Sequence, residues 1–251
     1  MVSILVSLQC VTNLHVGNGD VNYNIIDNEV ERDPVTNYPT IHSSGIKGSF
    51  REYFSSLSNL KESKINNDLV NRVFGSDEAK NTTQGCLKFL SADMLAMPAR
   101  ASAGHEAYYM ITTKTALERF QQLQKEFLGK AEPPSLTAIE KDVAVEGYKP
   151  EGKVTINSLG SFYVISDEDF RRISLPVLAR NRLNNGISQN LWYEEVVPHE
   201  SIFVFPVLAD EKDTDCLNQF SEIINGKVVQ FGGNASIGYG LCKVSVMEEK
   251  Q

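Results

Sequence analysis

A chain of 251 residues, 41% hydrophobic and 22% charged, has the composition of a globular protein with enough apolar material for a core. No run approaches the roughly 18 consecutive apolar residues that a membrane helix needs. Met1-Val2-Ser3-Ile4-Leu5-Val6 has neither a basic start nor a small-residue cleavage site, so the expected location is the cytoplasm. The net charge of −8 and a pI of about 5.1 argue against a general nucleic-acid binder. The distribution says something different. From Arg171 to Tyr193 stand four arginines (171, 172, 180 and 182) and no acidic residue, while acids gather at Asp27 to Asp33, Asp210 to Asp215 and Glu248-Glu249. A basic stripe on an acidic body fits a protein that meets RNA on one face and protein neighbours on others, and it equally fits a chance solvated run.

In chain order, residues 3–11 alternate, with Ile4, Val6, Leu8 and Cys10 on one side, which predicts a half-buried strand. Thr12 to Ser43 is a long aperiodic stretch with Gly17, Gly19, Pro34 and Pro39, and loops of that length inside a domain are usually functional or disordered. Ile46, Phe50, Tyr53, Phe54 and Leu57 recur at helical spacing, and Ile65, Leu69 and Val73 predict a second helix stopped at Gly75. Residues 86–98 and 105–112 read as strands. Thr115-Ala116-Leu117-Glu118 reads as a capping box with Thr115 as N-cap, opening a helix that stops at Gly129. Residues 130–153 are rich in Pro, Glu and Lys and read as a surface excursion. Leu217, Phe220 and Ile224 predict a helix ending at Gly226, followed by a strand Val228–Phe231, a glycine-rich loop and an alternating strand Leu241–Met247. This order predicts an α+β domain with an antiparallel sheet, most simply a ferredoxin-like (RRM-like) palm with insertions.

Four cysteines, Cys10, Cys86, Cys216 and Cys242, are scattered without a CxxC pair, so a zinc site is excluded and all four are expected to be reduced packing residues. Three motifs carry more. The first, Leu14-His15-Val16-Gly17-Asn18-Gly19, closes the first strand, and its glycines let backbone approach a ligand. The second runs from Ile25-Ile26-Asp27 to Pro39 and on through Ile41-His42-Ser43-Ser44-Gly45-Ile46-Lys47-Gly48-Ser49-Phe50-Arg51. Ser43 or Ser44 can cap a helix whose free N–H groups favour a phosphate, and Lys47 and Arg51, four apart, share one helix face. Gly45 and Gly48 leave the adjoining surface bare; the alternative is an ordinary solvated basic face. The third, Phe231-Gly232-Gly233-Asn234-Ala235-Ser236-Ile237-Gly238-Tyr239-Gly240, precedes a strand, whereas a dinucleotide fingerprint must open a helix, so that reading is rejected.

Together the three motifs resemble the RAMP superfamily of CRISPR proteins, which joins a ferredoxin-like fold to a glycine-rich loop near the C-terminus. Asp27 through Pro39, Ser44-Gly45-Ile46-Lys47-Gly48, Ser91 through Arg100, Ala179-Arg180-Asn181-Arg182 and Leu191-Trp192-Tyr193-Glu194-Glu195 are similar to the type III-B (Cmr) backbone subunits, over nearly the whole chain. The resemblance implies one RAMP domain over 1–251, with a catalytic loop insertion at 12–43 and a β-hairpin thumb at 175–200. It implies copies stacked on a CRISPR guide RNA beside other Cmr-complex subunits, with no membrane partner. A thumb from each copy would press a base out of the guide–target duplex, and the residue at Asp27 would cut the target single-stranded RNA there. It further implies RNA contacts at Ser43, Ser44, Lys47, Arg51, Arg180, Arg182, Trp192, Gly232, Gly233 and Gly238, and a divalent ion, Mg2+ or Mn2+, held by Asp27. The expected chemistry is endoribonuclease attack by the adjacent 2′-hydroxyl, with Asp27 as general base or metal ligand. His15, Glu194 and Glu195 are candidates to orient the reacting groups or donate a proton. Two alternatives stay open at the level of sequence: a non-catalytic structural backbone subunit, and a guide-RNA-processing endonuclease that would use a histidine base.

Overall fold

The computed structural model describes residues 1–19, 26–59, 65–78, 81–129, 131, 135–139 and 142–247. β1 (Val2–Cys10) leads through the long loop to a short β2 (Thr40–Ile41), then α1 (Ser43–Ser58) and α2 (Asn67–Phe74). A small hairpin, β3 (Gly75–Glu78) with β4 (Asn81–Gln84), precedes β5 (Leu87–Phe89), β6 (Ala92–Ala103), β7 (Tyr108–Thr113) and α3 (Lys114–Leu128). β8 (Ala144–Val145), β9 (Gly152–Ile156), β10 (Gly160–Ile165) and α4 (Asp167–Arg172) follow. β11 (Val177–Asn184) and β12 (Ile187–Glu195) form a separate hairpin, and β13 (Ile202–Ala209), α5 (Thr214–Ile224), β14 (Val228–Gln230) and β15 (Leu241–Met247) close the chain.

The main sheet runs β14-β15-β1-β13-β6-β7-β10-β9, with β2 and β8 paired to β6 and β5 paired to β13. β1 pairs antiparallel with both β15 and β13, β13 antiparallel with β6, and β10 parallel with β7. Helices cover both faces at the centre. On one face, Phe50 and Phe54 of α1, Phe74 of α2 and Phe220 of α5 pack with Phe205 and Phe231, all but fully buried. On the other, Leu117, Phe120 and Leu123 of α3 pack with Leu5, Leu95, Ile202 and Val204. Successive strand residues point to opposite faces, so β13 sends Ile202 and Val204 to one core and Phe203 and Phe205 to the other.

The helices follow the apolar spacing read from sequence, and α2 and α3 stop at Gly75 and Gly129, both at positive φ. Two capping expectations are corrected. The N-cap of α3 is Thr113, whose hydroxyl accepts from the Ala116 N–H at 3.1 Å. Thr115 lies inside the first turn, its side chain bonded to Asp167 instead. The N-cap of α1 is His42, in extended conformation and without a side-chain cap, while Ser43 and Ser44 are already helical. A serine does serve that helix start, but from the loop before β6: the Ser43 N–H donates to Ser91 Oγ at 3.2 Å. The surface excursion is corrected in part as well, because Val143 and Val145 are buried and β8 pairs with β6. Residues 130, 132–134 and 140–141 lie outside the described residues, as do Asp20 to Asn24 and Glu248-Glu249. Among the described residues no helix is long and apolar enough to cross a membrane.

Candidate functional site

Three segments of the chain meet at the root of the β11–β12 hairpin. The first follows the end of β1. Leu14 and Val197 exchange backbone hydrogen bonds at 2.9 and 2.8 Å, which fixes His15 against the chain leaving β12. His15 is buried, its Nδ1 within 2.7 Å of the Glu195 carbonyl oxygen and its Nε2 3.9 Å from Glu194 Oε1.

The second segment carries Asp27. The Asp27 and Asn28 N–H groups both donate to the Tyr193 carbonyl, at 3.0 and 3.2 Å, and the Glu195 N–H donates to the Asn28 carbonyl at 2.9 Å. The Tyr193 N–H donates to Asp27 Oδ2 at 2.7 Å. One residue of the hairpin root therefore grips Asp27 by backbone and side chain, leaving the carboxylate exposed. Glu195 holds the same segment further along: its Oε2 accepts from the Val30 N–H at 3.1 Å and its Oε1 from Arg32 Nη2 at 2.6 Å. Beyond it, Asp33 Oδ1 accepts from the Val35 and Thr36 N–H groups and the Thr36 hydroxyl. Burial pushes the Asp33 carboxyl up, but these bonds outweigh it and hold it below the usual carboxylate value. Tyr38 anchors the far end, its hydroxyl donating to Asp167 and contacting Thr113.

The third segment is the glycine-rich loop. Gly232 lies at φ +71°, where a Cβ would stand 2.3 Å from the His15 carbonyl oxygen, and the Gly233 N–H donates to that oxygen at 2.9 Å. Asn234, also at positive φ, donates its Nδ2 to Glu194 Oε1 at 2.7 Å. The other oxygen of Glu194 is buried and has no hydrogen-bond partner among the described residues. Gly238 sits at φ +82° with open space around it. The outer rim of the loop, from Gly232 through Ile237, is mostly exposed.

The hairpin turns at Asn185 and Gly186, both at positive φ, the pairing that suits a tight two-residue turn. Its register places Arg180 opposite Trp192 and Leu178 opposite Glu194, so these share one face. That face leans toward the glycine-rich loop: Arg180 Nη1 donates to the Tyr239 hydroxyl at 3.2 Å, with the guanidinium 5.3 Å from the ring centroid. Trp192 is half-buried there, whereas Arg182 is exposed. The opposite face leaves Leu191 (54%) and Tyr193 (38%) in solvent. Ser43, Ser44, Lys47 and Arg51 lie on α1, joined to the same centre through His42 Nε2, 3.0 Å from Glu31 Oε1. Lys47 and Arg51 are half-buried rather than fully exposed, and Gly45 and Gly48 leave the surface between them and the helix start bare.

The structure thus brings together Asp27, His15, Glu194, Glu195, Gly232 and Gly233, and ties in Arg180. A family model described as the RAMP superfamily matches residues 7–243. The chain belongs to the RAMP superfamily. This RAMP protein is 28% identical over 294 residues, 99% of its own length and 97% of the relative's, to the CRISPR system Cmr endoribonuclease Cmr4 of Pyrococcus furiosus. Its fold matches a chain of the type III-B Cmr-beta complex bound to cognate target RNA, at TM-score 0.77 and 22% identity, covering 98% and 97% of the two chains. It also matches oligomeric Cmr4 from Pyrococcus furiosus at TM-score 0.70 and 22% identity, over 100% of both chains.

Sequence reading missed Arg32, Tyr193, Asn234 and Tyr239 as parts of this site. Arg32 and Asn234 stand inside motifs already singled out, and their polar side chains were the available signal. Tyr193 acts here through its backbone, which carries no signal in the residue type.

Proposed function

We propose that this RAMP protein is a guide-RNA-binding backbone subunit of a type III-B (Cmr) CRISPR effector complex and an endoribonuclease within it. Copies stack along the guide beside other Cmr subunits in the cytoplasm, and each cuts the complementary target RNA, giving cuts at regular intervals. The observation that carries the reading is the exposed Asp27 carboxylate, held by the backbone of a hairpin root whose next residue, Glu194, is bonded to the glycine-rich loop. The full-length relative named an endoribonuclease supports the activity. The palm is read as ferredoxin-like, with residues 12–43 as the catalytic loop and 175–200 as the thumb. Supporting it are the antiparallel order β15-β1-β13-β6 and the packing of α1 on α5 at one face, with Phe50 and Phe220 ring centroids 5.2 Å apart.

The reaction is attack of a target 2′-hydroxyl on its own phosphodiester, leaving a 2′,3′-cyclic phosphate and a 5′-hydroxyl. Asp27 offers the oxygen not engaged by Tyr193, either as base for the 2′-hydroxyl proton or as ligand to a divalent ion. Among the described residues no three His, Cys, Asp or Glu side chains converge on one point, so a protein-built metal cage does not fit. A single exposed carboxylate does fit Mg2+ or Mn2+, because such an ion keeps several of its waters. When bound, the ion would supply positive charge to the reacting phosphate. Lys47 and Arg51 contact guide phosphates near the bare start of α1. Arg180, Arg182 and Trp192 meet RNA along the thumb, and Gly232, Gly233 and Gly238 let the backbone approach it. His15 and Glu194 brace the two loops from beneath.

The test is the assembled complex with a labelled complementary RNA, with and without a chelator. The expected result is a ladder of cuts carrying cyclic-phosphate ends and lost on chelation. Tight binding without any cut would instead favour a non-catalytic backbone subunit. Cutting that survives chelation would leave Asp27 as base alone.

A further inference from the structure

We propose that Glu195 is a positioning residue which, with Arg32 as its counter-ion, clips the Asp27 segment to the hairpin root and so sets where the Asp27 carboxylate stands. The inference rests on the reading of Asp27 as the group that acts on the RNA.

Glu195 uses every polar group it has. Its N–H donates to the Asn28 carbonyl and its carbonyl contacts His15 Nδ1, while one carboxylate oxygen meets the Val30 N–H and the other Arg32. Glu195 thus touches both the backbone that follows Asp27 and His15. The described part of the segment it holds is pinned by single bridges at Asn28, Val30 and Arg32. At two of these residues the Glu195 carboxylate adds a bond, to the Val30 N–H and to the Arg32 guanidinium. That side chain is only 8% exposed, against 31% for Arg32. A carboxylate so far from water is costly unless charged and hydrogen-bonding partners meet it, and the buried Val30 N–H needs an acceptor in turn. Both oxygens are occupied as acceptors by the chain's own donors, the Val30 N–H and Arg32. The geometry therefore turns Glu195 toward the Asp27 segment, which its carboxylate meets through two residues of backbone. A displacement of about 1 Å at a reacting group can cost on the order of a hundredfold in rate.

Glu195→Gln keeps the shape but replaces one accepting oxygen by an NH2 group that faces a donor, so it opens the clip. Arg32→Gln removes the charge from the other side, and Arg32→Lys keeps it. The experiment compares these with wild type and Asp27→Ala in assembled complexes at matched target occupancy, reading single-turnover cleavage across pH. Glu195→Gln and Arg32→Gln are expected to slow cleavage by about 10- to 100-fold. The half-saturating target concentration and the shape of the pH profile should both stay unchanged. Arg32→Lys should recover most of the loss, and hydrogen exchange at the Val30 amide should quicken in both Gln variants. A wild-type rate in Glu195→Gln, or a pH profile that loses a limb, overturns the proposal. Should Glu195→Gln fail to assemble, Arg32→Gln, altered at a partly exposed side chain, decides alone. Full activity in Asp27→Ala would instead sink the underlying reading, and the same gel shows which of the two has failed.

Discussion

Replacing Gly232 by alanine tests the meeting of the glycine-rich loop with the end of β1. The residue sits at φ +71°, and an added Cβ would lie 2.3 Å from the His15 carbonyl oxygen and 3.0 Å from its carbon. Backbone cannot yield as a flexible side chain can, so the loop must lift. Placing a non-glycine residue in the left-handed region costs about 1–2 kcal/mol. Lifting the loop also stretches the 2.9 Å bond from the Gly233 N–H to His15, worth about 1 kcal/mol. Gly238 is the internal control, because at φ +82° it carries the same conformational penalty but has nothing within 4 Å of the added atom. Gly232→Ala should therefore be the less stable by about 1 kcal/mol or more, a further drop of about 2–4 °C in Tm for a chain of this size. Thermal unfolding of the isolated subunit by circular dichroism measures both. Equal melting of the two variants would refute the close approach.

Lys47→Ala should weaken guide-RNA binding with little effect on folding and reduce the log–log salt slope by about 0.7, as expected for one lost contact to a single strand. Unchanged affinity and slope would remove Lys47 from the interface. Trp192, half-buried beside Arg180, should change its fluorescence when the guide–target duplex forms, and Trp192→Ala should weaken binding by on the order of 1–3 kcal/mol. Unfolding of Trp192→Ala in a melting experiment would show a core role instead. Asp167 adds a pH dependence. Burial raises its carboxyl, yet hydrogen bonds from Tyr38, Thr115 and Thr113 outweigh that and hold it below its ordinary value of 3.8. A depressed folded-state value gives stability that is present above 3.8 and lost as pH falls through the lower folded value. Asp167→Asn should therefore melt below wild type at neutral pH, with the gap closing under acid; a gap independent of pH would contradict the assignment.

Much of the fold was legible wherever one face of an element is apolar and the other wet. α1, α2, α3 and α5 showed their spacing, and β1 and β15 their alternation. β13 did not, because all eight of its residues are buried between two cores and Pro206 stands in its middle, both of which erase the usual strand signature. β9 and β10 were missed: β9 begins at the end of 130–153, read only for its composition, and no element was predicted over the residues of β10. The cap of α3 was misplaced by two residues because Thr113 and Thr115 offer the same hydroxyl, and only the docking of Asp167 decides between them. At the site, the residue types of His15, Asp27, Glu194 and Glu195 stood out. Their arrangement did not, since it is built from the Tyr193 backbone, 166 residues from Asp27.

The central claim is that every copy of this chain carries its own cutting centre at Asp27. It is tested most directly with end-labelled target RNA and complexes assembled from wild-type subunits, Asp27→Ala subunits, or a mixture, at matched occupancy. The wild type should give rungs at a constant nucleotide spacing. The mixture should lose intensity in proportion to the mutant share, without shifting the remaining rungs. The fully mutant complex should bind target while cutting about a hundredfold more slowly or less. An unchanged ladder from the fully mutant complex would contradict the account.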